Sequence, residues 1–363
     1  MKRTVLFAGG GTGGHLYPGL AIARTLVRLD PTVEPVFVGA LRGIERTVLP
    51  NTEFRHLLLD LHPLYRTKPW ENWRTLKGMI GGWREFGALV AREKPGVVVG
   101  TGGYAAGLAL AYAAMHGIPI VQQAGDSHPG LTARAFKRWT KEYYLAFPEA
   151  SRVIGGVASQ HVDTGAPIEP PPSPLPDRAA ARAAWGFPRE GGHVLLVYGG
   201  SQGSRAINLV VAEWVKRGLP RDLYLIWMTG KASYAEFAAL DGGNVRVREY
   251  LSPISEAYAA TDLALARAGA MTTAELFAWR IPGILVPLPT AAADHQAVNA
   301  RTLEAAGAAV HIPQVGFTVD ALEKSVTGLL DDPAAMEKIR AGAAARARPQ
   351  AAETIARRIL AML

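Results

Sequence analysis

Two short stretches carry the residue types and spacing for phosphate chemistry. Tyr198-Gly199-Gly200-Ser201-Gln202-Gly203-Ser204-Arg205-Ala206-Ile207-Asn208 follows the apolar run Val194-Leu195-Leu196-Val197 and leads into Ile207, Leu209, Val210, Val211, Trp214 and Val215. The run is short and rich in branched side chains, so it reads as a buried parallel strand, and the segment after it reads as a helix. Glycines at such a turn let backbone approach a ligand closely, while the helix start offers N–H groups and the positive end of its dipole. That chemistry suits a phosphate or diphosphate. A tight turn with a serine cap and no ligand would leave the same sequence trace. The pattern recurs near the N-terminus, where the strand Thr4-Val5-Leu6-Phe7-Ala8 is followed by Gly9-Gly10-Gly11-Thr12-Gly13-Gly14-His15 and a helix carrying Leu20, Ala21, Ile22, Leu26 and Val27. A dinucleotide fingerprint would also need an acidic residue at the end of the second strand, to meet the ribose. Val33–Val38 runs instead into Gly39-Ala40-Leu41, which counts against a nicotinamide cofactor.

Three further stretches stand where strands should end. Gly100-Thr101-Gly102-Gly103-Tyr104 follows a strand at 96–100. Arg267-Ala268-Gly269-Ala270-Met271-Thr272-Thr273-Ala274-Glu275 follows one at 263–266, and Pro287-Leu288-Pro289 leads to Asp294-His295-Gln296-Ala297-Val298-Asn299-Ala300. Glu275 is of the type to accept two ribose hydroxyls, and Gln296 to read the hydroxyls of a sugar. Thr272 and Glu275 have equally the spacing of a capping box, and Asp294 the type of a helix cap.

The elements that must position these residues alternate strand and helix throughout. The strands are expected at 4–8, 33–39, 53–59, 96–100, 118–123, 143–147, 193–199, 223–228, 245–250, 263–266, 283–288 and 308–312. Such alternation implies α/β domains of doubly wound, parallel sheets. The stretch Pro167–Pro176 holds six prolines in ten residues and can continue neither a helix nor a central strand. The expected division is therefore a domain at 1–165, a linker at 166–176 and a second domain at 177–346, with the final helix, about 347–363, returning to the first. Two such domains would face one another across a cleft, with ligands at the carboxyl ends of the strands.

Composition narrows the partners. With 363 residues, 49% of them hydrophobic, the chain is long enough for two cores. It has no cysteine, which rules out disulfides and thiolate metal sites and fits a reducing compartment. No run approaches 18 apolar residues, and the N-terminus enters a strand directly, so neither a membrane span nor a signal peptide is expected. The formal charge of +8 favours anionic partners, phosphates or acidic lipid rather than nucleic acid, for which no module is present.

The stretch 62–92 breaks the alternation. Trp73, Leu76, Met79, Ile80, Trp83 and Phe86 share one broad helical face, with Arg74, Lys77 and Arg84 on an adjoining one. Counting Arg66, Lys68 and Arg92 against Glu71 and Glu85, the stretch carries a net +4, half the charge of the chain. Tryptophan and cations beside an apolar stripe suit a lipid headgroup boundary. Packing of the tryptophans on a sheet is the alternative, and Gly78, Gly81 and Gly82 weaken any helix here.

Taken together, these motifs resemble those of the MurG family over essentially the whole chain. The resemblance rests on Gly9–His15 with Pro18, Gly100–Tyr104, Pro129-Gly130-Leu131-Thr132, Ala146-Phe147-Pro148, Gly199–Gly203, Arg267–Glu275 and His295-Gln296 with Asn299-Ala300. It implies a GT-B fold and an inverting transfer of N-acetylglucosamine from UDP-N-acetylglucosamine to undecaprenyl-linked lipid I, giving lipid II for peptidoglycan. The enzyme would work peripherally on the cytoplasmic face of the cell membrane, against an anionic surface. Residue by residue, it places Thr12, Gly13, Gly14, Gly200, Ser201, Gln202, Gly203, Arg267, Gly269 and Ala270 with the donor. Glu275 goes to the ribose, Gln296 with His295 to the sugar, and Gly102, Gly103 and Tyr104 to the acceptor side. The membrane patch becomes Trp73, Arg74, Lys77, Ile80, Trp83, Arg84 and Phe86. The resemblance puts His15 on the acceptor side too; closing the first glycine loop, and of a type that titrates near neutrality, His15 is the candidate catalytic base and Asp126 the second, while contact with the acceptor diphosphate or with its own loop is the other role open to His15. No Asp-x-Asp occurs, so no metal or other cofactor is required, although stimulation by a divalent cation is compatible with the sequence.

Two stretches depart from the family pattern. Gln123-Ala124-Gly125-Asp126 stands where the family has His-Glu-Gln-Asn. Gly165-Ala166-Pro167-Ile168-Glu169 stands where it has Gly-Asn-Pro-Val-Arg, so an arginine near the donor is replaced by Glu169. Arg205 or Arg267 would have to compensate. These departures keep three alternatives in view: a transferase of the same fold with another nucleotide sugar or lipid acceptor, a non-hydrolysing UDP-sugar epimerase, and a donor-binding protein without turnover.

Overall fold

A computed structural model describes residues 3–62, 70, 72–291 and 294–363. The chain divides into two compact units, one formed by the N-terminal part to Glu169 with Gln350–Leu363, the other by Pro170–Pro349.

The first unit is built on a seven-stranded parallel sheet: β1 (Arg3–Gly9), β2 (Val33–Ala40), β3 (Arg55–Leu59), β4 (Val97–Gly102), β5 (Ile120–Ala124), β6 (Thr140–Leu145) and β7 (His161–Asp163), in the order β3-β2-β1-β4-β5-β6-β7. Successive strand residues point to opposite faces, and both faces are covered. Val5 and Phe7 pack with Leu20, Leu26, Ile355 and Ile359 on one side, while Leu6 and Ala8 pack with Phe86, Leu108 and Leu110 on the other. Burial on both faces is why the strands read as unbroken apolar runs. The last helix, Ala351–Leu360, lies against the helix Gly13–Leu29, and Arg358 clamps Glu142 of β6 at 2.8 and 2.5 Å.

The second unit repeats the plan with six parallel strands: β8 (His193–Tyr198), β9 (Leu223–Met228), β10 (Val245–Arg248), β11 (Leu263–Ala266), β12 (Gly283–Leu285) and β13 (Val310–His311), in the order β10-β9-β8-β11-β12-β13. Leu195 and Val197 face Trp214 and Trp227 on one side; Val194, Leu196 and Tyr198 face Tyr258 and Leu276 on the other. In both sheets the order reverses beside the first strand of the unit, between β1 and β4 and between β8 and β11. Such reversal points are where the loops at the carboxyl ends diverge and leave room for a ligand.

Several boundaries differ from the sequence expectation. β6 lies at 140–145 rather than 143–147, β12 stops at Leu285 because Pro287 and Pro289 follow, and β13 shrinks to two residues. β7 was not expected; its three residues carry little apolar signal. Ala166 and Ile168 at the start of the proline-rich stretch are buried, and the unit boundary falls after Glu169.

Candidate functional site

In the second unit the glycine turn leaves β8 and closes on itself, Gly203 N–H donating to Gly200 O at 2.9 Å. Gly203 has φ +72°, and a Cβ there would lie 2.1 Å from Thr229 O, so only glycine fits against the neighbouring loop. Gly200 has φ +83° but faces open space, with Ser201 and Gln202 exposed beside it. The helix begins at Arg205 rather than at Ser201, and Ser204 caps it by accepting from Ile207 N–H. The serine cap is thus real, and the N–H groups of Ser201–Gly203 belong to the turn rather than to a helix end. Below the turn, Asn208 is fully buried and bridges Thr229 O and the indole N–H of Trp227.

The loop after β11 meets this turn through Arg267. Its side chain is 6% exposed and braces the turn from behind through its hydrogen bonds. It donates to Val286 O and Pro287 O at 2.9 Å, to Ser204 Oγ at 2.6 Å and to Gln314 Oε1 at 2.7 Å. These four acceptors are neutral. Burial lowers the guanidinium pKa to about 10, which still leaves the group charged at neutral pH. The adjoining helix Ala270–Ala278 starts at Gly269 with no side chain capping it, so the positive end of its dipole is unneutralised there. Arg205, the other arginine expected to compensate near the donor, is paired with Glu236 at 3.0 and 3.1 Å on the surface.

Glu275 lies in the second turn of that helix. Since the N-cap is Gly269 and Thr272 is inside the helix, the capping-box alternative does not hold. Its Oε2 accepts from Tyr258 at 2.7 Å. Gln296 ties its carboxamide oxygen to Leu288 N–H at 3.0 Å, fixing the helix His295–Ala305 to the proline loop after β12, with His295 half-buried next to it. Asn299 supports the loop after β11 by donating to Ala268 O. Asp294 is at the N-cap in a left-handed conformation, φ +55°, with no side-chain cap bond; it pairs with Arg301 at 3.7 Å, which removes the simple helix-cap reading.

In the first unit, three loops converge at the carboxyl ends of β1, β4 and β5. Gly10 N–H donates to Gly102 O at 3.3 Å, and a Cβ on Gly103 would lie 2.1 Å from Gly10 O, so two glycine loops abut with no room for side chains. Into this contact fits His15. Its ring packs on Gly102, where a Cβ would come within 2.6 Å of Cδ2, and its Nδ1 lies 3.2 Å from Gly10 O and 3.2 Å from Thr12 Oγ1. A carbonyl oxygen only accepts, so it is Nδ1 that donates to Gly10 O. Tyr104 starts the next helix with its ring over Gly11, and Thr132 donates to Gly103 O at 3.3 Å, which brings in the loop after β5. Asp126 is in that loop, half-buried. Thr12 and Gly14 are exposed and Gly13 half-buried at the mouth of the first loop.

Sequence reasoning missed one carboxylate here. Glu45 is fully buried and folds back beneath the first glycine loop, accepting from Ala40 N–H at 3.2 Å. Cβ atoms on Gly10, Gly39 or Gly43 would collide with it, at 1.8, 2.8 and 2.0 Å. Those three glycines were the available signal. Tyr198 and Tyr258 were also missed; Tyr198 announces itself only as a polar-tipped residue ending an apolar strand.

The basic stretch is a helix, Asn72–Glu93. Gly78 and Gly82 face inward, where Cβ atoms would lie 2.3 Å from Asp60 O and 3.0 Å from Leu108 Cδ1, so these glycines are packing contacts that let the helix sit close. The buried face is consequently Thr75, Gly82, Phe86 and Leu89. Phe86, at 0% exposure, belongs to the core rather than to a surface patch, and Trp83 is half-buried with its ring 4.9 Å from that of Tyr112. The opposite face carries Trp73, Lys77, Ile80 and Arg84, one helical turn apart and exposed, with Met79 beside them. The Arg74 guanidinium lies 5.6 Å over the Trp73 ring. Arg66, Lys68 and Glu71, which enter the charge of this stretch, lie outside the described residues, as does the Leu76 side chain. Among the described residues no helix is long and apolar enough to cross a membrane, and no group of three His, Asp or Glu side chains is placed to hold a metal ion.

The two units correspond to the two domains of glycosyltransferase family 28. Residues 5–145 match its N-terminal domain and 194–355 its C-terminal domain. The chain belongs to this family, and within it to the MurG enzymes. It is 39% identical to the UDP-N-acetylglucosamine--N-acetylmuramyl-(pentapeptide) pyrophosphoryl-undecaprenol N-acetylglucosamine transferase of Salinibacter ruber, over 99% of this chain and 96% of that protein. The like-named transferase of Chlorobaculum parvum is 37% identical over 99% of both chains. Among solved structures, MurG of Acinetobacter baumannii superposes with a TM-score of 0.77 at 26% identity, covering 99% of each chain.

Proposed function

We propose that this protein transfers N-acetylglucosamine from UDP-N-acetylglucosamine to lipid I, with inversion, to give lipid II. The single observation that carries the donor half is the buried Arg267 cation beneath an open glycine turn, with neutral acceptors for all four of its hydrogen bonds among the described residues. A positive charge so placed favours a dianionic diphosphate at Gly200–Gly203, the more so as charge grows on the departing UDP. The uncapped start of Ala270–Ala278 acts in the same sense. Glu275 takes the ribose hydroxyls, and Gln296 with His295 the sugar.

The acceptor side is the cluster of Gly102, Gly103, Tyr104 and His15 in the first unit. The acceptor hydroxyl attacks the anomeric carbon as UDP leaves, and its proton goes to the His15 imidazole, which the bond from Nδ1 to Gly10 O holds in place. Asp126, in the loop after β5, is the alternative base. The exposed Trp73–Arg84 face lies on an anionic membrane, which gives access to a lipid-linked acceptor. The binding half is tested by calorimetry of the full chain with UDP and UDP-N-acetylglucosamine in the presence of a chelator. Binding of both supports the reading; absence of UDP binding overturns it.

A further inference from the structure

Glu275 accepts a hydrogen bond from a buried tyrosine. Tyr258 donates to its Oε2 at 2.7 Å, and the hydroxyls of Tyr258 and Tyr198 are 3.2 Å apart. A carboxylate only accepts, so the Tyr258 proton points to Glu275 and its oxygen accepts from Tyr198. The result is a one-way chain, Tyr198 to Tyr258 to Glu275. Tyr198 is the last residue of β8, immediately before Gly199, so the chain runs from the strand that launches the glycine turn to the carboxylate in the helix after β11. Both phenols are 3% exposed, their rings meet edge to face at 6.2 Å, and Trp279 packs on Tyr258 at 5.7 Å. Burial, with the Glu275 charge adding to it, raises both phenol pKa values well above the ordinary value, so each keeps its proton at any working pH.

We propose that Tyr258, backed by Tyr198, is a positioning residue that locks the Glu275 carboxylate for the diol of a ribonucleotide, so that the site selects ribose over its deoxy forms. One carboxylate oxygen is fixed from behind by a donor that cannot be lost to titration, and rings on either side prevent the donor from swinging away. This rests on the reading of Glu275 as the ribose partner.

The test is a calorimetric cycle on the full chain with UDP and 2′,3′-dideoxy-UDP, using Tyr258→Phe, Glu275→Gln and the double variant. Tyr258→Phe removes one oxygen and keeps the ring. It should weaken UDP about tenfold, the factor equivalent to 1.4 kcal/mol, and leave dideoxy-UDP unchanged. The double variant should bind UDP no worse than Glu275→Gln alone, because both changes break the same contact. If Tyr258→Phe folds poorly, Tyr198→Phe removes the outer hydroxyl and should show the same selectivity at about threefold. If Glu275→Gln separates the two ligands while both tyrosine variants bind UDP normally, the phenols serve packing only and the proposal is overturned with the ribose reading intact. If Glu275→Gln weakens both ligands alike, the ribose reading falls and the proposal with it.

Discussion

Arg267 Nη2 donates to Ser204 Oγ at 2.6 Å, joining the loop after β11 to the turn after β8. The two loops flank the point where the sheet order reverses, so one guanidinium both braces the ligand loops and charges the space between them. Removing it should do two separable things. Arg267→Met should lower the melting temperature, since buried acceptors lose their donor at roughly 1–3 kcal/mol, and it should weaken UDP more than uridine. Arg267→Lys should recover part of the UDP affinity and little of the stability, because one ammonium keeps the charge but not the fork. Equal effects on UDP and uridine, measured by calorimetry, would mean that the charge does not act on phosphate.

Gly200 is the residue of the turn whose replacement separates binding from folding. A Cβ there meets no atom within 4 Å, unlike Gly199 and Gly203, where it would collide with backbone. Gly200→Val should cost about 1–2 kcal/mol of stability from its positive φ and abolish UDP binding by filling the open side of the turn. Unchanged UDP affinity in a folded variant would put the diphosphate elsewhere.

The two faces of the helix Asn72–Glu93 should respond differently. Replacing Arg74, Lys77 and Arg84 by Gln should cost about a hundredfold in affinity for anionic vesicles, at about 1 kcal/mol per charge. It should slow transfer to a full-length lipid acceptor and spare a short-chain soluble one. Phe86→Ala should leave vesicle binding intact and cost roughly 3–5 kcal/mol of stability, as for an aromatic lost from a core. Equal losses on both acceptors in the triple variant would show that the helix does not touch the membrane.

This helix also shows where the sequence could not be read. Hydrophobic periodicity put Trp73, Ile80, Trp83 and Phe86 on one face, because glycines carry no hydrophobic signal. Gly78 and Gly82 turn out to face inward, and the helix is rotated accordingly. Most of the strands along the chain and both glycine turns were legible, since double burial and close backbone approach each constrain residue type. Glu45 and Tyr258 were not, because a side chain that folds back onto a loop, or reaches over from another helix, leaves no periodic trace. The role of Arg267 was half legible. Its type and place at a strand end point to an anion, while its burial is a tertiary fact.

Acid should loosen the attachment of the last helix. Burial pushes the Glu142 carboxyl up, but the bidentate Arg358 more than offsets it, and the net direction is down from the usual 4.5. A lowered folded-state value means that the stabilisation is fully present above about pH 4.5 and is lost as pH falls through the folded value. Arg358 is partly exposed, so the contribution is about 1 kcal/mol at most. Thermal melts should show a steeper fall below pH 4.5 for the native protein than for Glu142→Gln; parallel curves would remove this pair from the acid limb.

The most direct measurement of the central claim is transfer of labelled N-acetylglucosamine from UDP-N-acetylglucosamine to a short-chain lipid I analogue, comparing the native protein with His15→Ala and Asp126→Asn. The native protein should form the β-linked disaccharide with release of UDP and should not interconvert UDP-sugars in the absence of acceptor. His15→Ala should bind the donor normally and lose roughly a hundredfold to ten-thousandfold in turnover, the range for a general base, while Asp126→Asn loses less. Donor binding without disaccharide, or UDP-sugar isomerisation without acceptor, would contradict the account.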